Sequence, residues 1–122
     1  MNPSPDRRAL GLQRMSDIYG FEMNDGPGDF FGMTVEHLFG EVWAREGLSD
    51  RDRRLLVLGV LAADGLDDVV SLQADTTLAK SELSADELRE IVIFLTHYVG
   101  WPTGAKLNTV VEAAISRHQR SS

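Results

Sequence analysis

The feature that most constrains this chain is the run Leu55-Leu-Val-Leu-Gly-Val-Leu-Ala-Ala63, which has no polar side chain. Ser49-Asp-Arg-Asp52 precedes it as a variant capping box, because a carboxylate three residues after a serine cap can reach back to it. Gly65 follows as a terminator. The run therefore reads as a helix that is apolar all round, and such a helix is expected to be buried on all sides. It becomes the expected central helix, and the rest of the chain must supply partners that cover it.

The flanking segments read as helices too. Ser4 caps a first helix with Pro5 at its first position, where a missing N–H costs nothing. Gly20 to Gly32 contains Asn24-Asp-Gly-Pro-Gly28 and reads as a loop that carries Phe21, Phe30 and Phe31. A second helix is expected over Thr34–Arg45, with Val35, Leu38, Phe39 and Val42 as its apolar stripe. The fourth runs from Asp67 or Asp68 to Lys80, with Gln73, Asp75, Thr76 and Thr77 among its apolar positions. Ser84-Ala-Asp-Glu87 is a full capping box for the fifth, which ends near Val99 at Gly100. The last runs from Pro102 or Thr103 to about His118. The expected fold class is all-α with about six helices. It forms a single domain over residues 1–122, with an N-terminal helix and aromatic loop over 1–31 and a core over 32–118.

Charge and cysteine content exclude whole classes of function. Lys and Arg number 12 against 19 Asp and Glu, a formal net charge of −7, so no basic face for nucleic acid is expected. Having no Cys, the chain cannot use disulfides, thiolate metal sites or dithiol redox chemistry. Neither an apolar run near the ~20 residues of a membrane span nor an apolar signal core is present, and a cytoplasmic location is expected. His37, Glu41 and His97 lack ligand-grade spacing, and no Gly-rich phosphate loop follows a strand, so neither a metal nor a nucleotide cofactor is expected.

Three segments then line up in order: Phe39-Gly-Glu-Val-Trp-Ala-Arg-Glu-Gly-Leu-Ser-Asp-Arg-Asp-Arg-Arg54 with its apolar continuation, Leu78-Ala-Lys-Ser-Glu-Leu-Ser-Ala-Asp-Glu-Leu-Arg-Glu90, and Tyr98-Val-Gly-Trp-Pro102. In this order and spacing the chain resembles the carboxymuconolactone decarboxylase family, within the superfamily that includes alkyl hydroperoxidase D. The resemblance implies an all-helical fold with intertwined subunits, assembled as a homo-oligomer such as a trimer or hexamer. It also implies cofactor-free decarboxylation of a small carboxylated lactone in aromatic catabolism. The peroxidase branch works through a Cys pair, which this chain lacks. Gln73 stands five residues before the leucine that matches Leu78, where the family usually carries a His; Phe94 stands at another position where a His is common.

Decarboxylation of such a lactone pushes negative charge toward the ring carbonyl oxygen. It calls for a donor at that oxygen, a general acid to protonate carbon, and a cation to orient the remaining carboxylate. Arg53 opens the third helix and is the expected carboxylate clamp, since a guanidinium binds both oxygens at once; Arg51 is the weaker candidate. His97 is the expected acid–base group, because an unperturbed His titrates near neutrality, about 6.5. Glu41, one turn after His37, is a candidate proton shuttle. Gln73 would orient a substrate carbonyl, Tyr98 could donate its hydroxyl, and Trp43 and Trp101 would be apolar pocket walls. The bland alternatives are a helix-capping His97, a solvated Arg53, an exposed Gln73, a packed Tyr98 and a surface His37–Glu41 pair. A non-catalytic binding or structural member of the family remains the alternative function.

Overall fold

The computed structural model describes residues 5–121. All regular elements among them are helical, so the expected all-α class holds. The chain divides into two compact units, one through Asp50 and one from Arg51 onward.

In the N-terminal unit α1 spans Pro5–Tyr19 and begins on the expected proline; the proposed Ser4 cap lies outside the described residues. Met15 and Ile18 are buried, and Tyr19 packs on Phe39 with ring centroids 5.5 Å apart. Gly20 ends the helix at φ 84°. The expected loop stops early, because α2 (Asp29–Met33) turns Phe30 and Phe31 into helical residues. From Thr34 to Val42 the helix widens into a π-helical stretch, with Trp43 N–H donating to Leu38 O five residues back at 2.9 Å. The expected α-helix over Thr34–Arg45 is thus corrected to a π-helix that ends at Val42. The widening coincides with a close helix crossing: a Cβ added to Gly11 would stand 2.1 Å from the Val35 carbonyl oxygen.

In the C-terminal unit α3 spans Asp50–Ala63, beginning directly after Ser49. It buries Leu58, Leu61 and Ala62 against the core. Leu56 and Val60 are 63% and 60% exposed, however, so burial on all sides is corrected to burial on one. The run is apolar enough for two faces, and the core of a single chain covers one of them. Past its end, Gly65 adopts φ 70°, while Leu66 N–H donates to Leu61 O and Gly65 N–H to Ala62 O. This paired closure satisfies two carbonyls that the helix end would otherwise leave open.

The polar residues of α4 (Asp67–Ala79) turn inward: Gln73, Thr76 and Thr77 are buried beside Val70, Ala74 and Leu78. α5 (Ala85–Val99) starts with both halves of the predicted capping box, Glu87 N–H to Ser84 Oγ at 3.1 Å and Ser84 N–H to Glu87 Oε1 at 3.0 Å. Gly100, at φ 98°, separates it from α6 (Trp101–Ser121), which begins earlier and ends later than the sequence suggests. Both α4 and α5 pack on α6. The α5–α6 crossing is close, because a Cβ on Gly104 would meet Thr96 Oγ1 at 2.2 Å. Among the described residues no helix is long and apolar enough to cross a membrane.

Candidate functional site

The predicted site residues of the C-terminal unit fall into two groups. The first surrounds the end of α5. His97 sits in its last turn, with Nδ1 2.7 Å from Ile93 O. A carbonyl oxygen only accepts, so Nδ1 carries the proton and donates it. In the neutral ring the lone pair able to take or return a proton is then on Nε2. His97 is exposed, and Trp101 stands edge-on to it, centroids 6.0 Å apart at 80°. Tyr98 packs against Phe94 at 5.2 Å, yet both are mostly exposed. Trp101, with Ile93, Thr96 and Asn108, lines a groove of about 470 Å³ between α5 and α6. That volume falls within the range of small-molecule sites, ~300–1,000 Å³.

The second group lies at the start of α3 and the end of α4. Gln73 is 3% exposed, which corrects the expectation of an exposed glutamine as its bland reading. Its side-chain oxygen accepts from Arg54 Nη1. Arg54 is fully buried and also pairs through Nε with Glu82 Oε1 at 2.8 Å. Thr77 donates its hydroxyl to the same Glu82 oxygen at 3.1 Å. A buried guanidinium needs such partners, since an unpaired charge in the interior is far more costly than an unpaired neutral group.

Sequence reasoning singled out Arg53, which is half-buried, and missed Arg54. A signal was present: Arg54 lies four residues before Leu58 and seven before Leu61, so all three share one helix face. Glu82 was missed for a different reason. It sits between α4 and α5, where no periodicity marks an inward residue.

Glu41 and Trp43 belong to the N-terminal unit. Glu41 pairs with Arg7, and His37 Nδ1 approaches its Oε1 at 3.4 Å on an exposed surface. Trp43 is 7% exposed and stacked on Phe39, centroids 6.1 Å apart at 16°. It reads as core of its own unit. Elsewhere, the Ser84 backbone N–H and the Arg51 guanidinium hold the Glu87 carboxyl below its ordinary range. Among the described residues no cluster of three or more His, Cys, Asp or Glu side chains could hold a metal ion.

Comparison with known proteins adds to this geometry. Residues 28–113 match the carboxymuconolactone decarboxylase family. The 4-carboxymuconolactone decarboxylase of Acinetobacter baylyi is 31% identical over 104 residues, covering 79% of this chain and 77% of that protein. No solved structure matches the chain. The matched span covers most of the helical core, including both groups of polar residues described above, and the chain belongs to the carboxymuconolactone decarboxylase family.

Proposed function

We propose that this protein is a cofactor-independent decarboxylase of a small carboxylated lactone, 4-carboxymuconolactone or a close relative of it. In the reaction the bond between a ring carbon and its carboxylate breaks, and carbon dioxide leaves. The electron pair spreads through the conjugated ring to the carbonyl oxygen, and a proton then adds to ring carbon. The observation that carries the reading on this chain is His97. Its Nδ1–H is committed to Ile93 O, which leaves Nε2 as the proton-exchanging atom, and its ring stands edge-on to Trp101, which lines a groove of substrate size. The 31% identity to a named decarboxylase supports the same chemistry.

In this reading Arg53 orients the second carboxylate, and Trp101 and Tyr98 supply aromatic walls. A second copy of the chain covers the exposed residues Leu56, Val60, Ile93, Phe94 and Tyr98, so the working form is a homo-oligomer. The alternative, a binding or structural member without turnover, draws support from the exposure of His97 and Tyr98 in the single chain.

Incubation of the purified protein with 4-carboxymuconolactone, followed by carbon dioxide release, tests the proposal. Turnover that falls by about 100-fold or more in His97→Ala is the expected result, in line with the loss of a general acid. No turnover by wild type, or an unchanged rate in the variant, would sink it.

A further inference from the structure

The groove between α5 and α6 has an uncharged lining. Val92, Ile93, Trp101 and Ala105 give it apolar walls, and Thr96, Asn108 and Thr109 supply its polar side chains. Both threonine hydroxyls are committed to their own helices. Thr96 donates to Val92 O at 2.7 Å, and Thr109 donates to Ala105 O at 3.1 Å. A hydroxyl carries one proton, so neither threonine has a donor left for a ligand. Asn108 differs. It is exposed to the groove, and among the described residues its amide has no hydrogen-bond partner.

The sequence of α6 sets where that amide stands. Trp101, Gly104, Ala105 and Asn108 recur at spacings that share one helix face. The Cα–Cβ bond of a helical residue tilts toward the N-terminus, so Asn108 leans toward Trp101 and the end of the groove at which His97 lies. The groove is also held at a set width. At the α5–α6 crossing Gly104 lies so close to Thr96 that no Cβ would fit. Further along the same two helices Arg89 grips Glu112 with two bonds, of 2.9 and 3.1 Å, and that pair satisfies its own charges.

These facts decide which part of a substrate can enter. A carboxylate taken from water into a lining without a cation loses its hydration and gains no counter-charge, the costly case. A lactone carbonyl is neutral, costs far less to bury, and asks for a donor.

We propose that the groove takes the lactone ring rather than a carboxylate, with the Asn108 NH2 donating to the ring carbonyl oxygen, where negative charge builds as carbon dioxide leaves. The inference rests on the decarboxylase reading. It adds the residue that receives the carbonyl and the way round in which the substrate lies, ring in the groove and carboxylates at its mouth. It also sets a preference, because the ring-opened acid carries a carboxylate in place of that carbonyl and is turned away.

The first test compares kcat and KM on 4-carboxymuconolactone for wild type, Asn108→Leu and Asn108→Asp. Because Asn108 is exposed, both variants should keep the melting temperature of wild type. The expected result is a kcat lower by about 100-fold in both, the usual loss on removing one oxyanion donor. A rate that falls in Asn108→Asp alone reports charge repulsion of an anionic substrate. That result, or two unchanged rates, overturns the inference.

The second test needs no turnover. The side-chain amide resonances of Asn108 and the indole N–H of Trp101 are followed while 2(5H)-furanone, an unsaturated lactone ring without a carboxylate, is added to the wild-type protein. Succinate, a dicarboxylate without the ring, is added to a second sample. Both sets of resonances are expected to shift with the furanone and to stay in place with succinate. That pattern in a wild type without turnover defeats the decarboxylase reading and supports the lactone site. Shifts with succinate alone, or none with the furanone up to its solubility limit, overturn the site itself, whether or not the protein decarboxylates.

Discussion

Two arginines, one in each unit, treat charge in opposite ways. Arg8 of the N-terminal unit lies among Asp25, Glu36 and Gly26 O, with its guanidinium over Phe31 at 5.5 Å. Its partners remain in contact with water, so each pairing competes with hydration and is screened by salt. Arg54 of the C-terminal unit has no exposure and depends on Glu82 and Gln73. Removing one partner there leaves a charge with no water to replace it. The difference teaches that the number of ion pairs is a poor guide to their importance. Both units carry several surface pairs, whereas the C-terminal unit also has one that its core cannot lose.

The largest expected effect follows from that contrast. Glu82→Leu should destabilise the protein by about 3–5 kcal/mol, the range for breaking a buried pair from one side. Urea denaturation measures it. A loss as small as that of a surface pair would erase the distinction between the two arginines. Gly104→Ala should cost about 1–3 kcal/mol, because the new methyl would overlap Thr96 Oγ1 and Cβ. Pairing it with Thr96→Ala should recover most of that loss in the same assay, whereas an additive double variant would place the clash elsewhere.

Loss of the α5 cap through Ser84→Ala should cost about 1 kcal/mol. The partner carboxylate adds a pH dependence. Glu87 is held below its ordinary range by the Ser84 backbone N–H and Arg51, so its contribution is complete above the unfolded pKa. It is lost as pH falls through the lowered folded value, and Glu87→Gln should flatten the acid side of the stability curve below the ordinary glutamate range. The smallest effect is expected for Arg8→Ala. At roughly 1 M salt, where screening acts over ~3 Å, its denaturation midpoint should match that of wild type. A midpoint well below wild type under those conditions would make Arg8 a buried-type arginine after all.

Much of the fold was legible because local signals agreed with it. The capping box at Ser84, Gly65 and Gly100 as terminators, and Pro5 at a helix start all act through the backbone nearby. The π-helical stretch was not legible, since its residues fit an α-helical stripe equally well and the close approach of Gly11 to Val35 is a tertiary fact. The candidate site was legible in part. His97 was identifiable as a titratable side chain at a helix end, but the atom that its tautomer leaves open depends on Ile93 O. Gln73 was identified, yet the orientation of its side-chain amide depends on a guanidinium nineteen residues earlier in the chain. Arg54 could have been found by extending the spacing of Leu58 and Leu61 backward by one turn.

Trp43 and Trp101 are the two tryptophans of the chain, one in each unit, the first 7% and the second 70% exposed. Each unit thus carries its own fluorophore in a contrasting environment. Trp43 should emit at shorter wavelength and resist acrylamide, whereas Trp101 should emit to the red and be quenched readily. Unfolding of one unit before the other would then appear as two separate spectral changes without any added label. A ligand or second subunit settling on the end of α5 would shift only the red component.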